Sequence, residues 1–223
     1  MKAMILAAGY GKRMMPLTEN LPKPLLKIGK KSLIERNINS LLGAGYKEIV
    51  INVSYLGSMI KKHVLDIFPH NDISFSKEST PLGTGGGILN AINLLGDKPF
   101  LLINADIFHK IELKGLKQDV EIAHIVGVNN PAHNFNGDFS IDSGLVTIKN
   151  NTNKYTWSGV SVINPIIFQG LNIEDAPFDI WKSILVQYIK KNQVTGELSD
   201  SMWIDTGTID RLELANRTYK DEN

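Results

Sequence analysis

The first half of the chain alternates short apolar runs with segments whose apolar residues recur at helical spacing. Residues 4–8, 48–53 and 99–103 are almost continuously apolar or rich in β-formers, and residues 32–42, 59–68 and 87–95 carry the helical pattern. Continuously apolar strands are typical of a parallel sheet, because crossover helices cover both of its faces. We therefore expect an α/β fold with a Rossmann-like, mixed but mostly parallel sheet flanked by helices.

The second half has a different pattern. Residues 138–141 and 145–149 flank Asp142-Ser143-Gly144, which is a hairpin signal. Strand patterns follow at 155–163, 194–197 and 202–205, and helix patterns follow at 180–191 and at 209–218, after Thr208. We expect one domain over residues 1–223, in which the second half adds a small lobe.

Charge and composition exclude several classes of protein. The 223 residues include 24 Lys plus Arg and 23 Asp plus Glu, so there is no electrostatic footprint for a nucleic acid or membrane partner. The chain has no cysteine, which excludes disulfides, thiolate zinc sites and cysteine nucleophiles. The apolar run 3–9 ends without a signal-peptide cleavage site and is interpreted as a strand. We expect a cytoplasmic protein that is a monomer or a small homo-oligomer.

The richest segment is LAAGYGKRMMPLTENLPKPLLKIG, residues 6–29. Gly9 and Gly11 follow the first strand and lack a Cβ, so backbone can come close to a ligand and present its N–H groups to an anion. Positive charge is supplied nearby by Lys12, Arg13 and Lys23. Glycine amides with Arg and Lys suit a triphosphate, whereas a Gly-x-Gly alone would be an ordinary turn.

Two common phosphate-binding patterns do not fit. The P-loop pattern G-x-x-x-x-G-K-[ST] is absent. The third glycine of a dinucleotide fingerprint would fall at position 14, which is Met, and no acidic residue closes a second strand to hold a ribose. NAD binding is therefore not expected.

The segment does resemble the signature of sugar-1-phosphate nucleotidylyltransferases, L-A-A-G-x-G-x-R-x-x-P-L-T followed by P-K-P-L. The matching residues are Leu6, Ala7, Ala8, Gly9, Gly11, Arg13, Pro16, Leu17, Thr18, Pro22, Lys23, Pro24 and Leu25. The resemblance implies that residues 6–9, Gly11 and Lys12 wrap the nucleotide phosphates. It also implies that Arg13 faces the leaving pyrophosphate and that Lys23 neutralises charge near the α-phosphate.

Residues 81–87, PLGTGGG, lie between a strand and a helix pattern. Small residues there would let a flat base lie against backbone, although a glycine-rich helix N-terminus is the plainer interpretation of this segment alone. The family resemblance implies that Gly83, Thr84 and Gly85 contact the base.

Two aspartates follow apolar strands. Asp106 ends the strand at 99–103 after Asn104-Ala105, and Asp205 ends the strand at 202–205. Ligands of open α/β sheets collect outside the carboxyl ends of strands, where two carboxylates could share one Mg²⁺. Either aspartate alone could instead be a helix N-cap or a turn residue. The resemblance implies that both bind metal and that, with Arg13 and Lys23, they form the catalytic set.

The second half narrows the resemblance to the N-acetylmuramate-1-phosphate uridylyltransferases of peptidoglycan recycling. The segments that carry it are 130–134, 137–139, 144–146, 155–160 and 196–198. It implies Asn104, Asp138 and Gly144 as sugar-side residues. That subgroup often has Glu in place of Gly83, and Leu-Gly-Thr-Gly-Gly also resembles mannose- and heptose-1-phosphate guanylyltransferases. We interpret His133 as a positioning or structural residue, because an attacking phosphate oxygen is already ionised near pH 7.

The resemblance therefore implies Mg²⁺-dependent transfer of a uridylyl group from UTP to N-acetylmuramate 1-phosphate, with pyrophosphate as the second product. Residues 1–110 would form the nucleotide-binding half, and residues 111–223 would form the sugar-binding half with its acceptor-side lobe. The alternatives are a guanylyl- or cytidylyltransferase on another sugar 1-phosphate and a non-catalytic subunit that binds a nucleotide sugar.

Overall fold

The structure is a computed structural model that describes residues 1–149 and 152–221. Its strands are β1 (Ala3–Leu6), β2 (Lys27–Ile28), β3 (Lys31–Ser32), β4 (Glu48–Val53), β5 (Asp72–Lys77), β6 (Phe100–Asn104), β7 (Ile107–His109), β8 (Ala123–Asn129), β9 (Ser140–Asp142), β10 (Leu145–Thr147), β11 (Tyr155–Ile163), β12 (Val194–Leu198) and β13 (Trp203–Asp205). Its helices are α1 (Leu33–Gly43), α2 (Gly57–Ile67), α3 (Gly83–Asn90), α4 (Ile92–Leu95), α5 (Val186–Ile189) and α6 (Ile209–Asp221).

Nine strands form one sheet in the order β5-β4-β1-β6-β11-β8-β12-β10-β9. The first four strands are parallel, β11 is antiparallel to both β6 and β8, and β12 is parallel to β8. At the far edge, β10 is antiparallel to β12 and β9, so that these two short strands continue the same sheet. The prediction of a mixed, mostly parallel sheet flanked by helices is confirmed.

The two faces of β1 supply two separate cores. Ala3 and Ile5 pack in one apolar cluster, and Met4 packs in the other. This split follows from the period of two along a strand, because successive side chains point to opposite faces. Burial on both faces explains why the strand has no polar position, and it leaves the carboxyl end of β1 as the part that can contact a ligand.

All five predicted helices have shifted bounds, by one or two residues in α1 and α2 and by more, or with a change of helix type, in the other three. The helix expected at 87–95 begins at Gly83 and is divided at Ala91 into α3 and α4. The earlier start is possible because the carbonyl of Phe178 accepts the N–H groups of Gly85 and Gly86, at 3.0 and 3.4 Å. The helix expected at 180–191 is a π-helical turn, Trp181–Leu185, followed by the single turn α5. The last helix extends three residues beyond its expected end, to Asp221.

The hairpin predicted around Ser143-Gly144 is confirmed. These two residues have φ of +49° and +80° and connect β9 to β10. Positive φ at both central positions is what a type I′ turn requires, and glycine provides it without steric strain. No helix in the described part of the chain is both long enough and apolar enough to cross a membrane.

Candidate active site

Two cavities lie along the carboxyl ends of the strands and share three residues, Arg13, Asn104 and Asp106. The first has a volume of about 410 Å³. It is lined by Leu6, Ala7, Ala8, Gly9, Tyr10, Gly11, Lys12, Arg13, Met14, Lys23, Pro24, Asn52, Glu78, Pro81, Gly83, Thr84, Asn104, Ala105, Asp106 and Gly207. The second, of about 390 Å³, is lined by Arg13, Asn104, Asp106, Ile107, His133, Asn134, Asp138, Thr156, Trp157, Ser158, Trp203 and Asp205.

The loop after β1 forms one wall of the first cavity. Gly11 has φ of +66°, and a Cβ there would lie 3.1 Å from Thr18 Cγ2. The buried Thr18 donates its hydroxyl to the Gly11 carbonyl at 2.9 Å, which fixes the loop from beneath. The glycine is therefore required by backbone conformation and by the close contact with Thr18, while the approach to a ligand expected from the sequence stays a prediction.

Two cations, Arg13 and Lys23, line the first cavity. Lys23 is 9% exposed in its side chain, and its Nζ lies 2.5 Å from Asp106 Oδ2. The exposed Arg13 lines both cavities, and its guanidinium has no hydrogen bond or ion pair within residues 1–149 and 152–221. One cation is thus held in place by a carboxylate, while the other can meet an incoming anion.

The two predicted metal aspartates are brought together by the pairing of β7 with β13. In this antiparallel ladder, Asp205 is opposite Ile107, the residue after Asp106. Thr206 donates both its N–H and its hydroxyl to the Asp106 carbonyl, at 3.0 and 2.8 Å. Two residues that are 99 positions apart therefore share one wall of the second cavity.

Both carboxylates are partly open and compensated by cations. The side chain of Asp205 is 25% exposed, with Arg211 Nη2 at 3.3 Å from its Oδ2. Its other oxygen accepts the Gly207 N–H at 2.7 Å. Within the described residues, no group of three or more His, Cys, Asp or Glu side chains could hold a metal ion. Two carboxylates that line the cavity beside the exposed Arg13 nevertheless fit Mg²⁺, which takes few protein oxygens and shares phosphate oxygens.

Three residues of the glycine-rich loop (residues 81–87) were predicted to contact the base, and two of them line the first cavity. Gly83 and Thr84 line the cavity, but Gly85 faces the Phe178 ring. Gly83 has φ of +75°, and a Cβ there would overlap the Phe178 carbonyl oxygen. The Thr84 hydroxyl donates to Asp179 Oδ2 and accepts the Ile180 N–H, so that this loop is attached to residues 178–180.

The second cavity is the more polar one. Asp138 accepts the Asn134 Nδ2 group at 3.0 Å and the Trp157 N–H at 2.8 Å, which aims its carboxylate along the wall. The indole N–H groups of Trp157 and Trp203 donate to the carbonyls of Val160 and Ser158. These two rings are therefore held as apolar walls between the polar groups.

Of the other two residues predicted to bind the sugar, one lines the cavities and one does not. Asn104 lines both cavities, and its Oδ1 is buried without a hydrogen-bond partner among the described residues. Gly159, with φ of +81°, admits this side chain, because a Cβ would lie 2.7 Å from Asn104 Nδ2. The structure does not bring Gly144 to either cavity: it lies in the β9–β10 turn, and its carbonyl accepts the Gly196 N–H. The turn chemistry of Gly144 is sufficient to explain its presence.

His133 lies at the rim of the second cavity with Nε2 at 3.5 Å from Asp205 Oδ2. Burial and the nearby Arg211 guanidinium lower its pKa from the ordinary value of 6.5, and Asp205 opposes this shift. The lowered pKa favours the neutral form of the ring. The positioning or structural role interpreted from the sequence stays a prediction.

Asn52, Glu78 and Arg211 were not identified from the sequence. Asn52 lies near the carboxyl end of β4, and Glu78 follows β5, so the rule that ligands collect at strand ends could have found both. Arg211 lies in the first turns of α6, and nothing in its local sequence links it to Asp205.

Comparisons with known proteins agree with this geometry. The sequence model of the family described as Nucleotidyl transferase matches residues 2–128. The chain is 40% identical to the N-acetylmuramate alpha-1-phosphate uridylyltransferase of Neisseria meningitidis serogroup B over 96% of both chains. It is 31% identical to the mannose-1-phosphate guanyltransferase of Aspergillus oryzae, over 93% of this chain and 61% of that protein.

A solved structure of HddC from Yersinia pseudotuberculosis, complexed with GMP-PN, superposes with a TM-score of 0.79. It is 25% identical in sequence, and the match covers 98% of this chain and 99% of that one. The matched family model includes the loop after β1, the glycine-rich residues 81–87 and Asp106, and the first relative matches almost from end to end. The chain accordingly belongs to the nucleotidyl transferase family and is a sugar-1-phosphate nucleotidyltransferase.

Proposed function

We propose that the chain transfers a uridylyl group from UTP to N-acetylmuramate 1-phosphate, giving UDP-N-acetylmuramate and pyrophosphate. The observation that carries this proposal is the junction of the two cavities at Arg13, Asn104 and Asp106. A nucleotide in the first cavity and a sugar phosphate in the second would meet there. The full-length similarity to the Neisseria uridylyltransferase supports this choice of base and sugar.

The chemistry is an in-line displacement at phosphorus. An oxygen of the sugar phosphate attacks the α-phosphorus, one P–O bond forms, and the bond to the β-phosphate bridging oxygen breaks. Both electrons of that bond leave with pyrophosphate. No proton has to be removed from the nucleophile, because a phosphate oxygen of the sugar phosphate is already ionised near pH 7.

The protein residues must bring two polyanions together. Arg13, which belongs to both cavities, would meet the phosphates from the solvent side, and Lys23 would meet them from the buried side. Alignment of two bound reactants can supply about 7–11 kcal/mol of the barrier reduction. The loop after β1, whose Gly11 carbonyl accepts the Thr18 hydroxyl, would provide such alignment for the triphosphate.

Asp106 and Asp205 would hold Mg²⁺ in this proposal. The ion, when bound, would supply charge neutralisation for the phosphate oxygens. Lys23 and Arg211 contact these carboxylates in the structure, and both aspartates line the second cavity.

The proposal also assigns nucleotide binding and sugar binding to different halves of the chain. Apart from Gly207, every residue that lines the first cavity precedes residue 110, and most residues of the second cavity follow it. This distribution supports a nucleotide-binding half at 1–110 and a sugar-binding half at 111–223. A cytoplasmic location and a monomer or small homo-oligomer remain part of the proposal.

A guanylyltransferase is the second candidate. The similarity to the mannose-1-phosphate guanyltransferase of Aspergillus oryzae and the glycine at position 83 favour it. A non-catalytic subunit is less consistent with the site, because Arg13, Lys23, Asp106 and Asp205 are all present and all face the cavities.

The deciding experiment measures pyrophosphate release with Mg²⁺ for UTP, GTP, CTP, ATP and dTTP. Each nucleotide is tested with the 1-phosphates of N-acetylmuramate, glucose, mannose and N-acetylglucosamine. We expect release only with UTP and the muramate. A preference for GTP and mannose 1-phosphate would overturn the substrate and keep the reaction. No release from folded protein in any combination would favour the non-catalytic subunit.

A further inference from the structure

The loop after β1 (residues 7–14, here called the phosphate loop) and the glycine-rich loop (residues 81–87) are connected by a short network of largely buried hydrogen bonds. Asn52 lies beside Leu6 in the β4–β1 ladder. Its Oδ1 accepts the N–H of Ala7, the next residue of the phosphate loop, at 2.8 Å. The first hydrogen bond of the network thus connects a side chain of β4 to the backbone of the phosphate loop.

The second and third links lead to the other loop. Asn52 Nδ2 donates to Glu78 Oε1 at 2.6 Å, and Glu78 Oε2 accepts the N–H of Leu82 at 2.9 Å. Asn52 is 2% exposed and Glu78 is 3% exposed, although both line the first cavity. The backbone before Gly83 is therefore connected to the backbone of Ala7 through two side chains.

The donor and the acceptor of each of these three hydrogen bonds can be assigned. The Ala7 N–H can only donate, so the amide oxygen of Asn52 must face it and the NH₂ group must face Glu78. Glu78 accepts on both oxygens, as an ionised carboxylate does. Burial raises the pKa of Glu78, while the Leu82 N–H and the Asn52 side chain lower it. Reversal of one donor or acceptor would leave a buried polar group unsatisfied.

Helix α3 leaves no space for a different arrangement. A Cβ at Gly87 would lie 2.6 Å from Asn52 Nδ2 and 2.7 Å from Glu78 Oε1. The pair is therefore packed between β4 and the helix backbone.

We propose that Asn52 is a positioning residue that, acting through Glu78, holds the phosphate loop and the glycine-rich loop at the one spacing that fits a nucleoside triphosphate. The proposal rests on nucleotide binding in the first cavity, which is part of the proposed function. It is independent of which base is bound and of which sugar phosphate accepts the nucleotidyl group.

A reciprocal exchange tests this proposal. In Asn52→Asp, a carboxylate oxygen replaces the NH₂ donor, so that two acceptors face each other. In Glu78→Gln, an NH₂ group replaces one acceptor, so that two donors meet, either at Asn52 Nδ2 or at the Leu82 N–H. The double variant Asn52→Asp/Glu78→Gln reverses the central bond and satisfies every group again. The distances, the number of links and the net charge of the pair are then those of the original.

The readout is the Kd of the nucleoside triphosphate that the wild-type protein prefers, measured by calorimetry without acceptor. KM values for nucleotide and acceptor are measured in parallel, at a temperature where every variant is folded. We expect each single variant to bind nucleotide at least tenfold more weakly, with the acceptor KM changed by less than twofold. The double variant should return to within threefold of the wild-type Kd.

Glu35→Gln is the matched control. Glu35 is also a largely buried glutamate, with Oε1 at 2.7 Å from His63 Nε2, and it lines neither cavity. It should leave the nucleotide Kd unchanged. If the exchanged pair prevents folding, Gly87→Ala displaces the same two side chains from the helix side and should weaken nucleotide binding by a similar factor.

Two results would overturn the proposal: single variants with the wild-type Kd, or a double variant no better than the weaker single one. The second result would mean that the Glu78 charge or the Asn52 amide acts on the ligand directly. Loss and rescue of nucleotide binding in a protein that transfers to no sugar phosphate would instead reject the proposed function and retain this inference.

Discussion

A methyl group added at Gly83 should destabilise the protein through two separable effects. The residue has φ of +75°, which strains any side chain, and the new Cβ would overlap the Phe178 carbonyl oxygen. Gly144 provides a matched control, because it has φ of +80° and nothing within 4 Å of the Cβ position. Gly83→Ala and Gly144→Ala therefore share the conformational strain, and only the first adds a steric overlap.

The magnitudes follow from these contacts. A left-handed conformation costs an L-residue about 1–2 kcal/mol, which sets the expected loss for Gly144→Ala. Overpacking adds about 1–3 kcal/mol at Gly83, because a backbone carbonyl cannot rotate away as a side chain can. At about 2–4 °C per kcal/mol for a chain of this size, Gly144→Ala should lower Tm by about 2–8 °C and Gly83→Ala by about 4–20 °C.

Thermal unfolding followed by circular dichroism measures the two shifts. Steady-state kinetics add a functional readout, in which Gly83→Ala should raise the KM for nucleotide and Gly144→Ala should leave both KM values unchanged. Equal Tm shifts would refute the reasoning, since they would mean that residues 176–179 move aside without a cost. A raised acceptor KM in Gly144→Ala would support the sugar-side role that the sequence resemblance implied for it.

Three further perturbations test the site and the core. Asp106→Asn or Asp205→Asn should lower kcat about 10²–10³-fold at an unchanged circular dichroism spectrum, and full turnover in either variant would exclude it from the metal site. His109 is buried and its pKa is lowered to about 4, so stability present above pH 6.5 is lost as the pH falls towards 4. Relative to His109→Asn, the wild-type free energy of unfolding in urea should therefore decrease by about 3 kcal/mol between pH 7 and pH 4; a constant difference would contradict the burial argument. Thr18→Val removes the hydroxyl beneath Gly11 and should cost about 1–3 kcal/mol while raising the nucleotide KM, and a wild-type KM would show that the loop needs no support.

The glycine-rich loop also restricts which residue can occupy position 83. A side chain at position 83, such as the Glu that the uridylyltransferase subgroup often has, does not fit a backbone with this φ beside the Phe178 carbonyl. Such a residue would require a different path for residues 81–83. The path of the glycine-rich loop therefore depends on how residues 176–180 hold it, and not only on the residues of the loop itself.

Most of the parallel half and the phosphate loop could be predicted from the sequence. Strand β1, the Gly9 and Gly11 loop, and the cations Arg13 and Lys23 lie within 21 consecutive positions, 3–23. Residues so close in sequence must also lie close together in the fold. An apolar strand has to be buried, and the left-handed backbone of the turn that follows it favours glycine. The hairpin at Ser143-Gly144 was predictable for the same local reason.

Only the tertiary structure decided which distant residues complete the site. The pairing of β7 with β13 brings Asp205 to Asp106, and helix α6 brings Arg211 to Asp205. The Phe178 carbonyl starts α3 four residues earlier than its apolar pattern, and Asn52 and Glu78 connect two loops that no local motif relates. Strand register and the directions of buried hydrogen bonds determine these contacts, and both depend on how separate segments pack together and not on the residues next to each other in the chain.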